Sequence, residues 1–190
     1  LDRLYEAGLR QVNISLDSLV EAKNAFITRR PLGFTQTMKA IEKALEMEEM
    51  VVKVNTVVMN GFNEDEILNF VEFVRERKME VRFIEFMPFQ ANDFSKKKML
   101  PFWEIKKKVE EKYALLKNQD DKSATSKTYS IEGFKGTVGF ISSMSDMFCG
   151  GCNRLRITAD GNLKICLFDN REINIKDLID QGCSDSEVLQ

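Results

Sequence analysis

The 190-residue sequence contains no histidine. That absence removes the side chain that titrates nearest neutral pH and the commonest zinc ligand, so acid–base or metal chemistry has to come from cysteine, lysine, arginine or carboxylates. No run of about 18 apolar residues occurs, and no basic stretch followed by an apolar one opens the chain. Neither a helical membrane span nor secretion is therefore expected, and the chain reads as soluble and intracellular. An excess of one charge is also missing: 28 basic residues face 30 acidic ones, for a net charge of −2. A general nucleic-acid-binding face is not expected on that balance, and any polyanion site would have to be local.

What is present is a hydrophobic content of 43%, enough for a substantial core in one domain or a large piece of one. The opening Leu1-Asp2-Arg3-Leu4-Tyr5-Glu6-Ala7-Gly8 reads as the middle of an amphipathic helix running into a strand, so the sequence is expected to be a piece of a longer chain. From there β-rich runs alternate with helical patterns. Strands are expected at Gln11 to Ser15, Val51 to Val58 and Val81 to Phe86, and helices at Thr35 to Glu48, Asp65 to Lys78 and Phe102 to Tyr113. Such alternation predicts parallel βαβ units. In the second helix Asn63 followed by Glu66 suggests a capping box, and Ile67, Phe70, Val71 and Val74 share one face. The polar run Asn118 to Lys127 is expected to connect regions 1–117 and 118–190. Short strands should follow at Thr128 to Ile131, Thr137 to Ile141, Leu155 to Thr158 and Leu163 to Leu167, then a helix at Ile175 to Gln181.

All four cysteines lie late in the chain, at positions 149, 152, 166 and 183. Cys149, Cys152 and Cys166 form C-x2-C-x13-C. Asp160-Gly161 between β-rich runs is a hairpin signal, and a two-residue turn there pairs Leu155 with Cys166. Strands about 5 Å apart would then return Cys166 to the C-x2-C pair. Three thiolates fit a [4Fe–4S] cluster with one iron left open, whereas zinc would need Cys183 or a carboxylate as fourth ligand, and plain buried cysteines stay a third reading. Arg154 and Arg156, two apart on a strand, share a face suited to phosphate or stand as an exposed, solvated pair. With Leu155 opposite Cys166 both arginines face away from that cysteine, unless a bulge or a one-residue change of turn register intervenes.

Strand ends carry function in parallel α/β folds. Ser15 and Asp17 close the first strand, Lys53 and Asn55 lie in the second, and Arg82 and Glu85 lie in the third. A lysine inside an apolar strand points to an internal anionic partner, or to a snorkelling side chain. Arg82 and Glu85 also read as a structural ion pair.

Taken together and in order, Ala7-Gly8-Leu9-Arg10, Asn13-Ile14-Ser15-Leu16-Asp17-Ser18, Val52-Lys53-Val54-Asn55, Arg82-Phe83-Ile84-Glu85-Phe86-Met87-Pro88 and the stretch Cys149 to Phe168 resemble the MoaA family, the radical-SAM GTP 3′,8-cyclases of molybdenum-cofactor biosynthesis. The resemblance implies an α/β fold, a partial (βα)6 TIM-like radical-SAM barrel over 1–117 followed by a C-terminal iron–sulfur region over 118–190. It implies a lyase that draws a radical from S-adenosyl-L-methionine (SAM) and converts GTP to (8S)-3′,8-cyclo-7,8-dihydroguanosine 5′-triphosphate. On matching positions, Cys149, Cys152 and Cys166 would hold a [4Fe–4S] cluster. Ser15 and Met87 would touch SAM, Lys53, Arg154, Leu155 and Arg156 would bind GTP, and Arg82 would serve catalysis.

The same resemblance implies a cyclic pyranopterin monophosphate synthase as the next enzyme, no nucleic-acid or membrane partner, and a homodimer as one open arrangement. The compartment would be the bacterial cytoplasm or the mitochondrial matrix. A second [4Fe–4S] cluster belongs to an upstream C-x3-C-x2-C, and no cysteine precedes Cys149 here. By itself the chain is therefore expected to be inactive, and an inactive truncated product or a cysteine-bound structural module is the alternative. Met147 stands where many relatives carry histidine, and Cys183 has no role in the resemblance.

Overall fold

A computed structural model describes residues 1–88, 92, 94–146, 149–169 and 171–188. Their contacts divide the chain into two compact units, Leu1–Cys149 and Gly150–Gln190. Met147 lies outside the described residues.

In the first unit a short helix α1 (Asp2–Glu6) leads to β1 (Gln11–Ser15), followed by α2 (Glu21–Thr28), α3 (Gly33–Leu45) and β2 (Val51–Val58). A 3-10 turn, Glu64–Glu66, then opens α4 (Ile67–Phe73), and β3 (Glu80–Glu85), α5 (Phe102–Glu110), β4 (Leu115–Lys117), β5 (Lys127–Ile131) and β6 (Thr137–Ile141) complete the unit. The strands form one six-stranded sheet in the order β1-β2-β3-β6-β5-β4. β1, β2, β3 and β6 are mutually parallel; beyond β6, β5 runs antiparallel to β6 and β4 antiparallel to β5. The expectation of parallel βαβ units holds for the first three strands. β4 to β6 extend that same sheet, and the expected division at 117/118 falls inside the first unit.

Alternation along the strands decides the two faces. Val52, Val54, Thr56 and Val58 of β2 are buried beneath helices, while Lys53, Asn55 and Val57 point to the half-open face. β3 repeats the pattern, with Val81, Phe83 and Glu85 buried and Glu80, Arg82 and Ile84 half-buried. The predicted inner face of α4 is confirmed, since Ile67, Phe70, Val71 and Val74 are all buried. Phe70, Phe83 and Phe140 make successive ring contacts at 6.3 and 5.9 Å. Truncating such a buried ring costs about 3–5 kcal/mol.

Two local expectations are corrected. No capping box forms at α4, because Glu66 is buried and turns to the loop after β1, accepting from Leu19 N at 2.7 Å and Ser18 Oγ at 2.8 Å. Asn63 is likewise engaged elsewhere, donating to Asp17 O at 2.6 Å and to Val57 O at 2.9 Å. Secondly, α4 ends at Phe73 rather than continuing to Lys78, and Gly136 N and Lys135 N donate to the carbonyls of Val74 and Arg75 where the helix would have continued. α2 and β4, for which the sequence reading named no element, appear in the structure.

In the second unit β7 (Arg156–Ile157), β8 (Asn162–Lys164) and β9 (Ile173–Asn174) form a small antiparallel sheet, followed by α6 (Ile175–Asp180) and α7 (Asp185–Val188). Among the described residues of this unit none is buried. No helix among the described residues is long and apolar enough to cross a membrane.

Candidate functional site

The half-open face of the six-stranded sheet gathers polar side chains in rows fixed by register. One row runs Ser15, Asn55, Arg82 and Gly139 across β1, β2, β3 and β6; the next runs Asn13, Lys53, Glu80 and Thr137. Neighbours in a row sit on strands about 4.8 Å apart. The structure thus brings three predicted residues, Ser15, Lys53 and Arg82, onto one face.

Lys53 donates to Gln11 Oε1 at 2.9 Å and forms no ion pair among the described residues. Burial, and after it the Arg82 guanidinium, hold its ammonium below the ordinary lysine range, with Glu80 opposing them. Arg82 pairs with Glu80, its Nε 2.9 Å from Oε1 and its Nη2 donating to Oε2 at 3.1 Å. The Arg82–Glu85 pair read from the sequence is not made: three residues apart on a strand, the two side chains leave opposite faces. Ser126 Oγ also donates to Glu80, at 3.0 Å. Glu80 and Ser126 were not singled out by the sequence, since neither belongs to a motif and only the sheet order sets β6 beside β3 and β5 beside β6.

Asn55 Oδ1 is buried and accepts no hydrogen bond among the described residues. An orphaned buried acceptor costs about 1–3 kcal/mol and calls for a donor, which a hydroxyl or amino group of a small molecule on this face would supply. Above the row, Asp17 accepts from Val57 N at 2.8 Å, and burial pushes its carboxyl up against the lowering effect of that bond. Met87 follows β3 directly and is half-buried, its carbonyl accepting from Asn92 Nδ2 at 2.6 Å.

The cysteines fall in both units. Cys149 is the last residue of the first unit and is exposed; Cys152, exposed, and Cys166, half-buried, belong to the second. All carry free thiols. Arg154 Nη2 lies 3.3 Å from Cys152 Sγ, and a backbone hydrogen bond from Arg154, then its side chain, hold that thiol below the ordinary cysteine range.

The hairpin register differs from the expected one. β7 pairs Arg156 with Lys164 and Ile157 with Leu163, closing on a three-residue loop with Gly161 at φ +83°. Gly161 N donates to Thr158 O at 3.0 Å, and its left-handed backbone is one that a side chain at 161 would strain. The shift of one residue puts Arg156 on the side of Lys164, while Arg154, Leu155 and Cys166 lie outside the paired strands. Leu155 and Ile157 are both exposed. Among the described residues no three His, Cys, Asp or Glu side chains are gathered as a metal-binding group. The fit of a cluster therefore rests on the donors, three free thiols of which Cys152 is held below the ordinary range, and on a coreless unit that a metal would staple.

Residues 79–190 match the family model described as Molybdenum Cofactor Synthesis C. The chain belongs to that family. Residues 1–74 match the Radical SAM superfamily, so the two models follow one another along the chain. Among relatives of this Molybdenum Cofactor Synthesis C chain, Molybdenum cofactor biosynthesis protein 1 of Dictyostelium discoideum is 50% identical over the whole chain, which covers 31% of that protein. The mitochondrial GTP 3′,8-cyclase of Arabidopsis thaliana is 48% identical, with 49% of its length covered. GTP 3′,8-cyclase of Syntrophomonas wolfei is 47% identical, with 58% covered. The chain thus spans from 31% to 58% of the length of these relatives.

Proposed function

We propose that this chain is the part of a radical-SAM GTP 3′,8-cyclase that receives GTP, converted in the full-length parent to (8S)-3′,8-cyclo-7,8-dihydroguanosine 5′-triphosphate with a radical drawn from SAM. The observation that carries the reading is identity near 50% over the entire chain to relatives of which two are named for that cyclisation. The parallel strands β1 to β3 are then part of the (βα)6 barrel, and their polar face is its interior.

On this reading the polar rows orient the two small molecules. Ser15 and Met87, at the ends of β1 and β3, meet SAM. Lys53, a cation with no carboxylate partner of its own among the described residues, meets GTP. Arg82, held in one orientation by Glu80, presents the rest of its guanidinium to the reacting groups. Arg154 and Arg156 bind the triphosphate, a geometry for which guanidinium is well matched, with Leu155 between them. Cys149, Cys152 and Cys166 hold the C-terminal cluster, which when bound supplies an iron without a cysteine ligand, open to a nitrogen or oxygen of guanine. The second cluster belongs to the part of the parent upstream of this chain.

Iron and sulfide analysis of the anaerobically reconstituted parent tests the proposal. Each of Cys149→Ala, Cys152→Ala and Cys166→Ala should lose the iron of one cluster. Uptake of one zinc with no iron at these cysteines would reject it.

A further inference from the structure

Glu85 is fully buried, yet it belongs to no motif role assigned above. It leaves β3 on the face opposite Arg82. Its Oε1 accepts from Phe102 N at 2.7 Å, the first amide of α5, and also from Ser145 Oγ. Its Oε2 accepts from Met144 N at 2.6 Å and Ser145 N at 3.0 Å. A carboxylate offers about four lone-pair directions, and here four donors meet them. The acceptor ties three segments together: the end of β3, two residues before Met87; the start of α5; and the loop after β6.

We propose that Glu85 is a positioning residue, its carboxylate fixing the Met144–Ser145 loop and thereby the placement of Cys149 relative to the end of β3. This rests on the reading of Cys149 as a cluster ligand. Cys149 follows Ser145 by four residues, a span of at most about 14 Å, so anchoring the loop limits where its thiol can lie. Ser142 Oγ, donating to Asp146 O at 2.7 Å, and the Lys127–Asp146 ion pair stiffen the same loop. No side chain other than a carboxylate of this length serves all four donors. The Glu85→Gln substitution would turn an amide group toward backbone N–H groups, leaving at least one of them unsatisfied.

Glu66 provides the contrast. It is equally buried in the same unit and accepts from Ser18 and Leu19, but it holds the loop after β1 and not the one leading to Cys149.

The test uses the full-length parent with Glu85→Gln, Glu66→Gln and the milder Ser145→Ala, which removes one donor and keeps the buried carboxylate. Hydrogen exchange at Met144 and Ser145 and peptide-resolved alkylation of Cys149 in metal-free protein are read together with the electron paramagnetic resonance signal of the C-terminal cluster. Glu85→Gln should speed exchange and alkylation by about tenfold or more and alter the signal. Ser145→Ala should move alkylation the same way by less, and Glu66→Gln should leave Cys149 as in wild type. Unchanged exchange and alkylation in Glu85→Gln, or in Ser145→Ala should Glu85→Gln not fold, would overturn the proposal, as would equal changes from Glu66→Gln. A parent with no iron at the three cysteines would reject the cluster reading, while exchange and alkylation would still decide the role of Glu85.

Discussion

At Gly139 the sheet has no space for a side chain. A Cβ built there would lie 2.2 Å from Ser126 Oγ and 2.5 Å from Glu80 Oε1. The glycine in β6 is what lets Glu80 and Ser126 close around Arg82 in the adjacent strand. Gly139→Ala should therefore destabilise the first unit by about 1–3 kcal/mol, the usual cost of overpacking, and free the Arg82 guanidinium from Glu80. Urea denaturation checks the first part, and an unchanged midpoint would show that the cluster can relax away. Lys53 shows the same dependence on neighbours. In sequence it is a lone cation in an apolar strand; among the described residues its hydrogen-bond partner is the neutral amide oxygen of Gln11.

Between elements, the surface carboxylate of Glu72 in α4 joins several partners. It accepts from Arg75 Nε at 2.7 Å and from Lys112 Nζ at 3.2 Å, and it meets the Tyr113 hydroxyl just beyond α5. Hydrogen bonds from Arg75 and then Tyr113 hold its carboxyl down at about 2, against an ordinary value of 4.5. A carboxyl lowered on folding stabilises fully above its unfolded value and loses that contribution as pH falls through the folded one. The loss should therefore run between pH 4.5 and about 2. Because the side chain is 36% exposed, solvent screening limits the effect to roughly 1 kcal/mol or less. Thermal melts of Glu72→Gln and wild type should differ above pH 4.5 and converge toward about pH 2. A constant difference across that window would contradict the assignment.

For the chain as a whole, two surfaces favour association. β1 is an edge of the parallel sheet, with Gln11, Asn13 and Ser15 exposed along it, and an uncovered edge is a template for pairing with another chain. In the second unit Leu155, Ile157, Ile165 and Ile173 are all more than half exposed. Small units without a core are marginal unless a metal, a disulfide or a partner supplies the missing stability. The isolated chain should self-associate as its concentration rises, as read by light scattering or sedimentation. A single monomeric species at high concentration would refute this.

Strand positions were legible because period-two alternation and β-branched runs are local properties: β1, β2 and β6 lie where the sequence placed them. The buried face of α4 was legible for the same reason, at period 3.6. The three-cysteine spacing and the arginines beside it, and with them the family, were also set by sequence, since motif order survives without any knowledge of contacts. Tertiary structure alone decided which partner each buried charge found. Glu66 left its own helix for Ser18, Glu85 left Arg82 for an amide loop about sixty residues on, and Arg82 took Glu80. Local rules rank nearby partners, but a buried carboxylate is satisfied by whichever donors the packed sheet and loops bring within 3 Å. The hairpin shows the boundary between the two: Asp160-Gly161 announced a turn, whereas the one-residue register that turns Arg156 to the side of Lys164 was settled only when the strands paired.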